Sequence, residues 1–88
     1  MRVHILKECS PKKYEEHKDN WTDFYGLKYC YETENLYYVA EIPFMPLEGQ
    51  RLGTRFGLTI VDYAYYEVEE KDYEDFLYYK TYIKVKDE

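Results

Sequence analysis

The sequence predicts a small α+β domain, a twisted antiparallel sheet of about five strands with one helix packed on one face. Three observations carry this. Two long segments, 58–69 and 76–86, alternate apolar and polar residues with the period of a strand. One segment, 11–25, repeats aromatic residues at helical spacing behind a Ser-Pro start signal. The 88 residues contain no linker, repeat or break in composition, so residues 1–88 read as one domain.

Val3 to Lys7 reads as the first strand, edged by His4 and ended by a turn around Cys9. The opening MRVHILKE has too short an apolar run for a secretory leader, and charges follow at once. Ser10 then offers a side-chain oxygen to free amides, and Pro11 sits where a helix has no use for its N–H. Tyr14, His17, Trp21, Phe24 and Tyr25 continue the helical repeat, and Gly26 suits a left-handed close. Asp19, Asn20 and Thr22 weaken the second half, which is expected to loosen into a turn. His17 is expected to pack with Tyr14 and Trp21 against the sheet.

Leu27–Glu32 and Leu36–Ile42 form an expected hairpin around Glu34 and Asn35, with Tyr31 opposite Tyr38, Tyr29 opposite Ala40 and Lys28 opposite Glu41. Pro43 and Pro46 end the second strand, leaving residues 43–56 as the long irregular segment. In the strand 58–69, Leu58, Ile60, Ala64, Tyr66 and Val68 are assigned to the core face, with Asp62 as an intruder. Such an aspartate either pairs with a nearby Lys or Tyr hydroxyl, or marks a bulge that turns it outward. The return strand 76–86 turns Leu77, Tyr79, Thr81, Ile83 and Val85 inward. Pairing Val68 with Leu77 sets Tyr63 beside Tyr82 and Tyr65 beside Lys80 on the outer face. The loop 70–75 joins the two strands; a short helix over 70–79, seeded by Asp72, is the competing reading.

Thirteen Tyr, four Phe and one Trp make the chain unusually aromatic. Tyrosine is therefore expected to take the place of Leu and Ile in the core, with hydroxyl tips at the surface where they find partners. A domain of this size has only one modest core to build.

The charge is lopsided. The stretch Asp62 to Asp75 holds seven carboxylates, four tyrosines and a single lysine, Lys71, while the other residues hold eleven acids and eleven bases. A net charge of −6 disfavours direct contact with nucleic acid or an anionic membrane and favours basic partners. No segment reaches the ~20 apolar residues of a spanning helix. Cys9 and Cys30, in no CxxC arrangement, read as reduced thiols of a cytosolic chain.

Chemistry-bearing motifs are sparse. His4, His17, Cys9 and Cys30 match no zinc spacing, and residues 62–75 lack the glycine of a calcium loop, so no metal or cofactor is expected. Catalytic use of Asp62 would need a second carboxylate in a desolvated cleft, and no enzyme signature accompanies it. Gly49, Arg51, Gly53, Arg55 and Gly57 space glycines by four with arginines between, which suits close approach to a phosphate. Arg51 and Arg55 are thus the alternative ligand-binding residues, for a nucleotide or other small anion. The segment lacks the GKS or GKT of a P-loop, and a connection whose arginines pair with the acidic hairpin is the plainer reading.

The leading functional reading is a non-enzymatic binding surface. Glu67, Glu69, Glu70, Asp72, Glu74 and Asp75 would present carboxylates much as a phosphate backbone does, while Tyr63, Tyr65, Tyr73, Tyr78 and Tyr82 supply apolar anchors. The plain alternative is a solvated hairpin tip whose charges prevent edge-to-edge aggregation. A third possibility is a structural subunit that homodimerises through sheet edges. A short, acidic, tyrosine-rich chain without enzyme signatures is similar in general character to the small inhibitors that bacteriophages and other mobile elements use against host defence enzymes, anti-CRISPR proteins among them. That resemblance is one of composition and assigns no residues. It implies a viral inhibitor in the host cytoplasm, acting on a basic, nucleic-acid-binding host protein.

Overall fold

The computed structural model describes residues 1–70 and 77–88. It is an α+β domain, with one six-stranded sheet in the order β2-β3-β1-β6-β5-β4. The strands are β1 (Arg2–Glu8), β2 (Lys28–Cys30), β3 (Asn35–Glu41), β4 (Arg51–Thr54), β5 (Gly57–Glu70) and β6 (Leu77–Asp87), and the helix α1 spans Pro11–Asp19. The sheet is mixed where an antiparallel one was expected, because β1 and β6 lie side by side and parallel, His4 beside Tyr82 and Ile5 beside Ile83. Strands joined by a long intervening chain are free to pair in this sense, whereas hairpin neighbours are not.

Helix α1 begins as the sequence requires. The Ser10 hydroxyl accepts the Lys13 N–H, and Pro11 occupies the first turn. The chain then continues through a π-helical turn, Asn20–Phe24, rather than as α-helix. The Thr22 hydroxyl donates to the Lys18 carbonyl at 2.6 Å, a local bond that competes with the helical ladder. Gly26, at φ 65°, ends the segment in the left-handed region.

Tyr14 of α1 stacks on Tyr29 of β2 at 4.2 Å, and Tyr31 meets both rings edge-on. The Tyr31 hydroxyl donates to the Glu15 carboxylate, which pushes the phenol up to about 12 and pulls the carboxyl below its ordinary value. This cluster fixes the helix to the short hairpin. His17 does not join it: it is exposed and only leans on Trp21 at 4.9 Å, because α1 buries none of its own residues.

The core is aliphatic, against expectation. Val3, Ile5, Leu27, Leu36, Val61, Ile83 and Val85 are buried, and Tyr38 is the one tyrosine buried with them among the described residues. β-Branched side chains pack closely on a pleated surface and bring no hydroxyl to satisfy. Tyr38 is affordable because its hydroxyl accepts the Arg55 N–H at 3.1 Å.

Two registers differ from those expected. Tyr29 faces Leu36 and Lys28 faces Tyr37, so the paired strands are shorter, the turn spans residues 31–34 and takes in Tyr31, and Glu34 takes the positive φ of 55° assigned to Asn35. In the long hairpin, Val68 pairs with Tyr79, not Leu77. Each slip is an even number of residues, which preserves which face each residue occupies. At Asp62 the ladder carries a bulge between Val61 and Tyr63, and this changes the phase of β5. Thr59 and Val61 point into the core before the bulge, whereas Leu58 is exposed; Ala64 takes over after it. Tyr66 and Val68, assigned to the core, are 54% and 58% exposed, because β5 outruns the layer above it.

The expected irregular segment 43–56 contains β4, which pairs with β5 from Arg51–Ile60 to Thr54–Gly57. Gly57, at φ 98°, makes this turn possible. The competing helix over 70–79 does not hold for 77–79, which are strand; 71–76 lie outside the described residues.

Candidate functional site

Alternation in the four middle strands gives the sheet a covered face, under α1 and residues 42–56, and an opposite face that α1 leaves uncovered. On the uncovered face the registers bring Tyr37 of β3, His4 of β1, Tyr82 of β6 and Tyr65 of β5 side by side. Tyr65 stacks on Tyr82 at 4.9 Å and 16°, His4 lies 5.1 Å from Tyr82 and 6.3 Å from Tyr37, and Tyr63 leans on Tyr65 at 5.9 Å. The result is a row of five rings crossing four strands. Leu6 is buried beneath it, and a shallow hollow of about 270 Å³ opens among the rings, Glu67 and Lys80.

The row is edged by charge. Glu67 pairs in register with Lys80, and the Asp62 carboxylate lies 3.7 Å from the Lys86 ammonium, so both outcomes foreseen for Asp62, a bulge and a lysine partner, occur together. The Lys84 ammonium donates to the Asn35 side-chain carbonyl, and burial pulls its pKa down despite Glu8 and Asp62 nearby. Burial also pushes up the Tyr65 phenol, helped by Tyr63 and Glu67. His4 is held below its ordinary value, first by burial and then by Lys80, with Arg2 and Lys28 acting the same way. Its Nδ1 is shielded from solvent and, among the described residues, has no hydrogen-bond partner.

Of the sequence-predicted contact residues, Tyr63, Tyr65, Glu67 and Tyr82 meet on this one face. Glu69, Glu70 and Tyr78 sit on the backbone of the β5–β6 hairpin beyond them, Glu69 paired with Tyr78 and Glu70 with Leu77. Asp72, Tyr73, Glu74 and Asp75 lie outside the described residues. Past Ile60 on β5 and before Tyr82 on β6, these two strands pair only with each other among the described residues, so the hairpin extends as a two-stranded ribbon. His4 and Tyr37 were missed as members of the site. Their strands were legible, but only the parallel β1–β6 pairing brings them to the hairpin's rings.

The alternative residues separate. Arg51 pairs with Glu88 at 2.7 Å, on the edge strand. Arg55 reaches the Tyr25 and Gly26 carbonyls at 3.4 Å and lies 4.7 Å from the Tyr38 ring centre. Among the described residues neither pairs with the acidic hairpin, and the glycine-arginine segment is a β-turn and strand, not a phosphate loop. Cys9 is buried on the covered side and Cys30 is half-buried on the other. Among the described residues, no three His, Cys, Asp or Glu side chains gather as metal ligands, and no helix is long and apolar enough to cross a membrane. Compared with known protein families, with curated proteins and with solved structures, the chain matches none of them.

Proposed function

We propose that the chain is a non-enzymatic binding protein whose β5–β6 hairpin and adjoining ring row dock into a basic groove of a nucleic-acid-handling protein, occluding it. One observation carries the reading: Tyr63 and Tyr65 stay 49% and 39% exposed, packed ring against ring in a row at the root of the ribbon that leads to the acidic stretch. Preordered rings lose little entropy on contact, so they supply affinity, while carboxylates steer the encounter and reject acidic partners. The Asp62–Lys86 ion pair leaves Glu67, Glu69, Glu70, Asp72, Glu74 and Asp75 as the anionic group that a cationic groove would meet. The composition shared with phage and mobile-element inhibitors of host defence makes such an enzyme the natural target class.

The test is capture from host lysate by tagged wild type and by the Glu69→Lys/Glu70→Lys variant, across a salt series. Capture of a basic protein by wild type, weakening with salt and lost in a folded variant, is the expected result. Equal capture by both chains removes the proposal.

A further inference from the structure

On the covered side of the sheet, remote from the ring row, a second cavity separates the helical segment from the β4–β5 turn. It is a cleft of about 500 Å³, within the range of small-molecule sites. It exists because α1 buries no side chain of its own and because the π-helical turn swings Asn20, Trp21 and Tyr25 toward the opening instead of continuing the helix. Turns of this kind recur at functional sites.

The lining has a chemistry of its own. Lys7, Lys13 and Arg55 face Glu8 as the one acid, a cationic excess in a chain whose net charge is −6. Lys7 is held by Asp87 at 2.8 Å and Arg55 by two carbonyls, so both are fixed in place. Among the described residues, the Lys13 ammonium has no ion-pair partner and the Asn20 side chain no hydrogen bond. The buried Cys9 lines the cleft together with both lysines. Tyr25, Leu27 and Leu36 add apolar surface to that of Trp21 and Phe56, two aromatic rings against which a flat ligand would lie.

We propose that this cleft binds a nucleoside monophosphate, with the base against Trp21 and Phe56 and the phosphate between Lys13 and Arg55. A guanidinium and an ammonium together match a phosphate dianion, and stacking on an indole tolerates any base. Arg55, singled out by its glycine-arginine setting, serves here through the cleft, and Arg51 takes no part. The site is independent of the docking face.

Trp21 is the only tryptophan, so its fluorescence reports directly on a base stacked over it. Titration with AMP is expected to quench the emission saturably, with adenosine binding more weakly for want of the phosphate. Lys13→Glu, an exposed position on α1, should keep the fold and weaken AMP by roughly tenfold or more. Glu69→Lys/Glu70→Lys should bind AMP as wild type does, which separates this site from the docking face. Absence of saturable quenching at millimolar AMP, or an AMP affinity unchanged by Lys13→Glu, overturns the proposal.

Discussion

The two faces of strands β1 and β6 carry opposite chemistries. On one side Val3, Ile5, Ile83 and Val85 are sealed under other elements; on the other, His4 and Tyr82 are half-buried within the ring row. Adjacent residues of one strand thus answer to different demands. A face that only needs burial is best served by branched aliphatics, which leave no hydroxyl unpaired. A face that must stay ordered without a cover needs side chains that stabilise one another and still tolerate solvent, and stacked phenols do so. The tyrosine richness of this chain therefore describes its surface more than its core.

Substituting neighbours on β6 measures that contrast most directly. Ile83 is fully buried and Ile83→Ala removes atoms that nothing else fills, for an expected loss of about 2–5 kcal/mol. In urea the midpoint should fall far enough to endanger folding of so small a domain. Tyr82→Ala, one residue away on the other face, should cost about 1 kcal/mol, the worth of its stacking on Tyr65 plus part of its burial. Comparable losses for the two would mean the ring row is core, and the distinction between faces would fall.

A smaller effect on stability should accompany a larger one on binding in Tyr63→Ala/Tyr65→Ala. Both rings are substantially exposed, so the folded chain should survive while capture of the partner weakens by roughly tenfold or more. Retained capture with lowered stability would assign the rings a purely structural role.

Much of this arrangement was legible in the sequence, for identifiable reasons. The helix start at Ser10–Pro11 and its close at Gly26 are local chemistry, as is the inward alternation of Thr81, Ile83 and Val85 on β6, and all appear where expected. The bulge at Asp62 was foreshadowed by a charge at an apolar position, yet its effect on phase, turning Thr59 and Val61 inward, depends on pairing with β6. The parallel contact of β1 with β6 joins residues nearly eighty positions apart, and no local pattern encodes it. For the candidate site the consequence is specific: Tyr63, Tyr65, Glu67 and Tyr82 could be grouped from hairpin register, whereas His4 and Tyr37 could not.

The turn that starts β3 offers a gain in stability. Glu34 holds φ 55°, a conformation costly for a residue with a Cβ. Glu34→Gly should raise stability by about 0.5–1 kcal/mol, the relief of that strain less the added entropy of the unfolded chain. An unchanged or lower urea midpoint would show that the Glu34 side chain contributes more than its backbone costs.

The finest test of the uncovered face is its pH response. His4 lies within the ring row with an Nδ1 that is shielded and, among the described residues, unpaired, and burial together with Lys80, Arg2 and Lys28 holds its folded pKa below 6.5. Between the folded pKa and 6.5 the unfolded chain binds more protons than the folded one, so stability is full above 6.5 and declines as the pH falls through that window. Lys84, also depressed by burial, loses stability in the same direction but at alkaline pH, well away from this window. His4→Gln, which cannot protonate, should therefore lose less of its urea midpoint than wild type between about pH 7.5 and about pH 5.5. Because all other titrating groups are common to both chains, equal losses would mean that His4 is hydrated and charged, and that the ring row is open to water at its centre rather than closed over Leu6.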